Sequence, residues 1–142
     1  MAIVSYFYMK IILRALLIGW LVFIFVMSAF DGTASAQLSG NLLNYNAGGN
    51  SLSFFFNVAT IRDFAHAFEF FILYLLVYLN FGKKYKYHGI LFCFLYCITD
   101  EIHQYFVPGR AFELADILRD SGGILSAFLF TQIYENIIKR GR

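Results

Sequence analysis

Side chains capable of acid–base or ligand-binding chemistry occur in three short segments of this 142-residue chain. In the first segment, Arg62, His66 and Glu69 follow the spacing i, i+4, i+7, which places them on one face of an α-helix. An imidazole beside a carboxylate can transfer protons, and a guanidinium can bind a phosphate group. The first segment therefore predicts one wall of a polar site.

The second segment places four polar residues at the end of an apolar stretch. Asp100, His103 and Gln104 have the spacing i, i+3, i+4, and Glu101 directly follows Asp100. An adjacent Pro-Gly pair then ends the helix, and Arg110 comes next. This segment adds a second histidine, two carboxylates and a group suited to an anion.

The third segment opens the last apolar stretch with Asp116, Arg119 and Asp120, again spaced i, i+3, i+4. An ionised side chain at the bilayer centre costs about 2.5 to 3.5 kcal/mol, and less near the surface. Three helices that each carry such groups at one end are expected to turn them inward, toward opposite charges or hydrogen-bond partners. The three segments together predict a polar pocket between the second, third and fourth helices.

These residues are candidates for two roles. The catalytic candidates are His66, Glu69, Asp100 and His103. The ligand-binding candidates are Arg62, Glu101, Gln104, Arg110, Asp116 and Asp120. One interpretation is a pocket for an anionic lipid-linked or cell-wall-derived ligand, and a second is a membrane-embedded hydrolase or transferase.

A third interpretation makes the polar cluster purely structural, holding the helices together. His66 would then form an intrahelical pair with Glu69. Asp120 would form an ion pair with Arg110 or Arg119. The residue types alone do not choose among the three interpretations.

Metal, cofactor and nucleic-acid roles have less support. Histidine and carboxylate suit Zn²⁺ or Mn²⁺, but the H-E-x-x-H spacing is absent and we predict no metal ligands. The sequence contains no nucleotide-binding loop or nucleophile elbow, so it identifies no cofactor. The net charge is only +2 and the basic residues cluster at helix ends, so we expect no nucleic-acid partner.

The composition indicates that lipid surrounds the elements that position these residues. The chain is 60% hydrophobic and 14% charged, with a mean hydropathy of +0.65. Soluble domains carry about 25% charged residues, because water must solvate their surface. We therefore predict an all-α polytopic membrane protein with the lipid bilayer as its surroundings.

The apolar stretches are long enough for four transmembrane helices, since about 20 residues span the hydrocarbon core. We predict a single domain of residues 1–142, with helices at 11–30, 61–81, 87–106 and 112–138 and a polar outer loop at 31–60. In the last helix, Gly122 and Gly123 precede Ser126 and Ala127 by four residues, a pattern typical of close helix packing.

The N-terminal stretch has an alternative interpretation as a cleaved signal peptide. Basic residues, an apolar run and the tripeptide Ala34-Ser35-Ala36 resemble a signal sequence with its cleavage site. The apolar run is long for a signal peptide, so we favour an uncleaved helix. Cleavage would leave three spans without moving the later polar segments.

The basic residues predict the orientation of the helices. Eight of the eleven fall in three places, namely Lys10 and Arg14, then Lys83, Lys84 and Lys86, then Lys139, Arg140 and Arg142. With four spans, all three places lie on one side, which the positive-inside rule makes cytoplasmic. We therefore predict an N-in, C-in bundle whose polar cluster faces the extracytoplasmic side.

The three polar segments resemble the VanZ-like family, which is named after a teicoplanin-resistance protein. Residues 99–110, Thr-Asp-Glu-Ile-His-Gln-Tyr-Phe-Val-Pro-Gly-Arg, match the family pattern D-E-x-H-Q-x-F-x-P-G-R. Residues 62–70 are similar to R-K-x-x-H-x-x-E-[YF], and residues 116–123 to D-[VI]-x-x-[DN]-x-x-G. Asp63 stands where a basic residue is common in the family.

The resemblance implies a four-helix protein of the bacterial cytoplasmic membrane, and it links the chain to glycopeptide resistance only through the family name. The expected partners are the lipid bilayer and either a lipid-linked cell-wall precursor or a glycopeptide. It names no reaction, so whether the protein is an enzyme stays open.

Overall fold

The computed structural model describes residues 2–29 and 58–141, with side chains placed for residues 4–29 and 63–141. Over these ranges the chain forms four α-helices and no β-strand, which confirms the predicted all-α class. The helices are α1 (Ala2–Ser28), α2 (Val58–Phe81), α3 (Lys86–Tyr105) and α4 (Leu114–Arg140). The predicted polar loop and the tripeptide Ala34-Ser35-Ala36 lie outside the described residues, except that residues 58–60 begin α2.

Two of the helices differ at their starts from the predicted ranges. α1 begins at Ala2 rather than residue 11, because residues 2–10 contain no glycine or proline that would interrupt a helix. Its 27 residues span about 40 Å. α4 begins at Leu114 rather than near residue 112, because Glu113 is extended, with φ −119° and ψ 112°.

Short turns with glycine in the left-handed region connect α2, α3 and α4. Gly82 (φ 76°) follows α2 and leads into a 3₁₀ turn over Lys83–Tyr85, which passes directly into α3. Gly109 (φ 75°) lies in the linker between α3 and α4. Glycine adopts this conformation without the steric penalty of a side chain, so both turns reverse the chain within a few residues. α3 and α4 are therefore held as direct neighbours.

Side-chain contacts show that successive helices run antiparallel. At one end, Ser28 at the end of α1 contacts Asp100 late in α3, and His66 early in α2 contacts Asp120 early in α4. We call this the site end. At the opposite end, the Lys10 ammonium donates to the carbonyl of Asn80 near the end of α2. This basic end also holds Lys83, Lys86 and Lys139.

An apolar core between the two ends holds the bundle together. Phe70, Leu73 and Tyr74 of α2 are fully buried and belong to one cluster with Ile24 of α1. α2 lies closest to α4 at Gly123, where an added Cβ would overlap the backbone carbonyl of Ala67. The close packing predicted from the small residues is therefore made by Gly123, one turn after Asp120.

The outer surface of the described helices is rich in large apolar side chains. Exposed examples are Phe25 on α1, Phe64 and Leu79 on α2, Leu91, Phe92 and Leu95 on α3, and Leu118, Leu129 and Ile133 on α4. Two helices, α1 over Val4–Ser28 and α2 over Asp63–Phe81, are long and apolar enough to cross a membrane.

Candidate functional site

His66 lies between two buried carboxylates at the centre of the site end. Its Nδ1 is 3.4 Å from Oδ1 of Asp120 and its Nε2 is 3.9 Å from Oδ2 of Asp116. The imidazole is 7% exposed, and both aspartates are fully buried. The i, i+4 spacing of the aspartates turns both toward α2. The close approach at Gly123 brings the His66 imidazole within reach of both carboxylates.

Arg119 joins α2 to α4 beside this centre. Its guanidinium contacts Oδ1 of Asp116, and its Nε lies 2.9 Å from Oδ1 of Asp63. About a third of the Arg119 side chain is exposed, whereas Asp116 is enclosed. The arginine therefore offsets part of the Asp116 charge from the rim of the cluster.

Asp100 forms the α3 side of the cluster. Its Oδ1 accepts a 2.5 Å hydrogen bond from the hydroxyl of Ser28, and its Oδ2 accepts a 2.8 Å bond from the side-chain amide of Gln104. Asp100 is 4% exposed and Gln104 is fully buried. These two bonds orient the carboxylate, because each of its oxygens has a fixed donor.

Glu101 and Arg110 connect the linker to the helix ends. Oε2 of Glu101 accepts the backbone N–H of Glu113 at 3.1 Å, which ties the start of α4 to α3. Nη1 of Arg110 lies 3.4 Å from the carbonyl oxygen of Ser28, the last residue of α1. A guanidinium at a helix C-terminus is favourable, because the last carbonyls there lack intrahelical donors. Arg110 thus binds the backbone of α1 as well as facing the cluster.

His103 and Glu69 contact α1 rather than the aspartates of α4. The His103 ring stacks on Phe25, with centroids 4.2 Å apart and an interplanar angle of 10°. The backbone carbonyl of Glu69 accepts a 2.9 Å hydrogen bond from the indole N–H of Trp20. The Glu69 carboxyl is half-buried and interacts electrostatically with His66. The two histidines therefore occupy different surroundings.

The structure brings most of the predicted residues to one end of the bundle. Those placed at the site end are His66, Glu69, Asp100, Glu101, His103, Gln104, Arg110, Asp116 and Asp120. Arg62 lies within α2, but its side chain is outside the described residues. In contrast to the expected pairing of Asp120 with an arginine, Asp120 lies against His66 and accepts a 3.4 Å bond from the Cys97 thiol.

Sequence analysis missed two residues of the cluster, Ser28 and Cys97. Ser28 lies in an apolar stretch where neighbouring residues give no polar pattern. Ser28 joins the cluster only because α1 packs beside α3, a tertiary contact that helical periodicity does not reveal. Cys97 lies one turn before Glu101 on the inward face of α3, and this spacing could have identified Cys97 as a member of the cluster.

Several hydrogen-bond acceptors in the cluster have no donor among the described residues. These atoms are Oε1 of Glu101, Oε1 of Gln104 and Oδ1 of Asp120, all buried. The 3.4 Å approach of Nδ1 of His66 to Asp120 also falls short of a hydrogen bond. Buried acceptors usually have donors, so the cluster contains unused capacity to accept hydrogen bonds.

The described residues contain no group of three or more His, Cys, Asp or Glu side chains arranged to hold a metal ion. What the described arrangement can do chemically is accept hydrogen bonds and exchange protons at His66.

Comparison with known proteins places the chain in a family. A search of curated proteins and a search of solved structures each found no match. A family model described as VanZ/LLP1 matches residues 13–135, which includes most of α1 and all of α2 and α3. The matched range also covers every residue of the cluster. The chain therefore belongs to the VanZ-like family.

Proposed function

We propose that this VanZ-like protein crosses the bacterial cytoplasmic membrane four times and binds the headgroup of a lipid-linked peptidoglycan precursor at the site end. The observation that carries the proposal is the gathering of polar side chains from three helices around His66 at one end of the bundle.

The distribution of side chains supports four spans. α3 buries Asp100, Glu101 and Gln104 while exposing Leu91 and Leu95. α4 follows the same pattern, with buried aspartates and exposed leucines. A helix in water would do the reverse, whereas lipid favours apolar side chains outside and polar ones in the bundle. α3 and α4 thus join α1 and α2 as spans in this proposal.

The basic end supports the orientation. Lys10, Lys83 and Lys139 lie at that end, opposite the acidic cluster. Under the positive-inside rule, the basic end faces the cytoplasm and the site end faces the outside. Peptidoglycan precursors are used on the outer side, where this places the cluster.

The charge balance of the cluster favours a ligand that donates hydrogen bonds. Four buried carboxylates surround His66, and the cations Arg119 and Arg110 already contact Asp116 and Ser28. A phosphate inside the cluster would meet repulsion from these carboxylates, so the proposal seats the sugar and peptide of the precursor there and leaves its phosphates outside. Sugar hydroxyls, peptide amides and amines would instead donate to the unused acceptors. The proposal therefore favours a precursor carrying sugar and peptide over undecaprenyl phosphate.

Measuring lipid binding to the purified protein in nanodiscs tests the preference for the precursor. We expect a lipid-linked disaccharide–peptide precursor to bind at least about tenfold more tightly than undecaprenyl phosphate, because each added donor satisfies a buried acceptor. Asp120→Asn should reduce precursor binding, since the amide replaces an acceptor with a donor. Ser126→Ala is the matched control on α4, because its exposed hydroxyl bonds only to the carbonyl of Gly122. Equal affinity for the two lipids would contradict the proposal.

A second candidate function is acid–base catalysis by His66, as in a hydrolase or transferase. The specific observation is the position of its imidazole between two buried carboxylates, which suits proton transfer. Under this proposal, His66→Gln abolishes turnover of the bound precursor while binding persists. His103→Gln should retain turnover, because that ring stacks on Phe25. No turnover by the wild type would leave binding as the function.

The family link to glycopeptide resistance is tested in cells. Teicoplanin and vancomycin susceptibility is measured in a Gram-positive host that expresses wild type or His66→Ala, Glu69→Ala, Asp100→Ala or His103→Ala at equal membrane levels. Raised tolerance in the wild type, reduced by the variants, is the expected result. Unchanged susceptibility in the wild type would remove resistance from the proposal.

A further inference from the structure

A cavity lies at the basic end, about 22 Å from the site end if measured along α4 from Asp120 to Glu135. Its volume is about 200 Å³, and it is lined by Tyr78, Lys83, Tyr134, Glu135, Ile138 and Lys139. These residues come from the end of α2, the following turn and the last turns of α4. None of them belongs to the polar cluster described above.

The lining is amphipathic. Tyr134 and Ile138 are exposed to 56% and 40% and present an aromatic ring and an aliphatic chain at the mouth. Lys83 and Lys139 place two ammonium groups at the same cavity. A cavity with both features fits a molecule that has an anionic head and an apolar tail.

The charges of the cavity favour an anion even though Glu135 is present. Oε1 of Glu135 accepts a 2.7 Å hydrogen bond from the hydroxyl of Tyr78, which holds the carboxylate against α2. Two lysines against one glutamate leave a net positive charge. The cavity therefore attracts an anion rather than a cation.

The C-terminal ends of α2 and α4 do not prevent an anion from binding in the cavity. A helix C-terminus repels anions through carbonyls that lack donors. Here the carbonyl of Tyr78 accepts from the N–H of Gly82, and that of Ile137 from the N–H of Gly141. The carbonyl of Asn80 accepts from Lys10. These bonds satisfy part of each last turn, and the basic residues Lys139 and Arg140 offset the negative end of α4.

We propose that this cavity binds an anionic phospholipid of the cytoplasmic leaflet, with its phosphate between Lys83 and Lys139 and an acyl chain along Tyr134 and Ile138. The inference rests on the membrane orientation in the proposed function, but not on the precursor site. Basic pockets between helices at a cytoplasmic surface bind anionic headgroups in other membrane proteins.

The experiment measures which lipids the protein retains in native mass spectrometry after reconstitution into nanodiscs of mixed phosphatidylglycerol and phosphatidylcholine. The wild type is expected to retain phosphatidylglycerol preferentially. The double variant Lys83→Gln/Lys139→Gln should lose that preference. The matched control is Lys84→Gln/Arg140→Gln, which removes the same charge from neighbouring positions that do not line the cavity.

The control pair should keep the wild-type preference. An equal loss in both double variants would overturn the proposal, because it would assign the preference to general surface charge. Retention of the preference by Lys83→Gln/Lys139→Gln would also overturn it. Excess inorganic phosphate should not displace the lipid, and displacement would assign the cavity to free phosphate. Precursor binding, measured on the same samples, reports separately on the site end.

Discussion

At the residue scale, the cluster gains its order from individual donors that reach buried carboxylates. Ser28 and Gln104 each donate to one oxygen of Asp100, and Arg119 contacts Asp116. A buried carboxylate that loses a donor keeps its desolvation cost without the compensating bond. Loss of one of these donors is therefore expected to lower the stability of the protein more than loss of an exposed donor.

Ser28→Ala tests this at the contact between α1 and α3. We expect it to lower the free energy of unfolding by about 1 to 3 kcal/mol, because Oδ1 of Asp100 loses its donor while staying buried. The measurement is the thermal unfolding midpoint in detergent. Ser126→Ala removes an exposed hydroxyl from a helix and should leave the midpoint unchanged. Equal shifts of the unfolding midpoint in Ser28→Ala and Ser126→Ala would contradict a stabilising hydrogen bond between Ser28 and Asp100.

The two acidic partners of Arg119 should differ in importance. Asp63→Asn is expected to cost less than about 1 kcal/mol, because the pair is partly exposed. Arg119→Ala should cost more than Asp63→Asn, because it removes a guanidinium that contacts the buried Asp116. Unfolding midpoints of the two variants check the order. A larger loss of stability for Asp63→Asn than for Arg119→Ala would contradict this order.

At the scale of the helices, periodicity in the sequence predicted the elements and the inward faces, but not the partners across helices. The all-α class followed from the apolar stretches, and the i, i+3, i+4 spacings placed Asp116 and Asp120 on one face. Ser28 was missed because its role depends on which helix packs beside α1. The start of α1 was placed late because the apolar run begins at Ile11, whereas the helix also includes Lys10, whose ammonium contacts a carbonyl of α2.

Two adjacent glycines of α4 provide a test of helix packing. Gly123→Ala should destabilise the protein by at least about 2 kcal/mol, because the new methyl group overlaps the backbone of Ala67. Gly122→Ala has no atom within 4 Å of its new Cβ and should be neutral or stabilising, since alanine favours helix. Membrane expression and the unfolding midpoint report the difference. Similar behaviour of the two variants would place the α2–α4 contact elsewhere.

At the scale of the whole molecule, polar groups gather at the two ends and large apolar side chains cover the outside. The acidic cluster and the basic end lie at opposite ends of the same four helices. This polarity is what a bundle needs to take a fixed orientation in a membrane. This polarity supports the proposed N-in, C-in arrangement.

Labelling with a membrane-impermeant thiol reagent checks that orientation. Ala111→Cys, in the exposed linker of the site end, should react in intact cells. Lys84→Cys, in the turn at the basic end, should react only after permeabilisation. The native Cys93 and Cys97 are buried and give little background. The reverse labelling pattern would invert the topology.

The unequal apolarity of the helices has a consequence for synthesis of the protein. α1 and α2 are the described helices that are long and apolar enough to cross a membrane, and they carry Ser28 and His66, which contact α3 and α4. Their early entry provides these polar partners before Asp100, Asp116 and Asp120 leave the ribosome. We expect a chain ending after Phe81 to integrate, whereas α3 and α4 expressed alone should integrate poorly. The first two helices would then act as an internal assembly template for the acidic half of the protein.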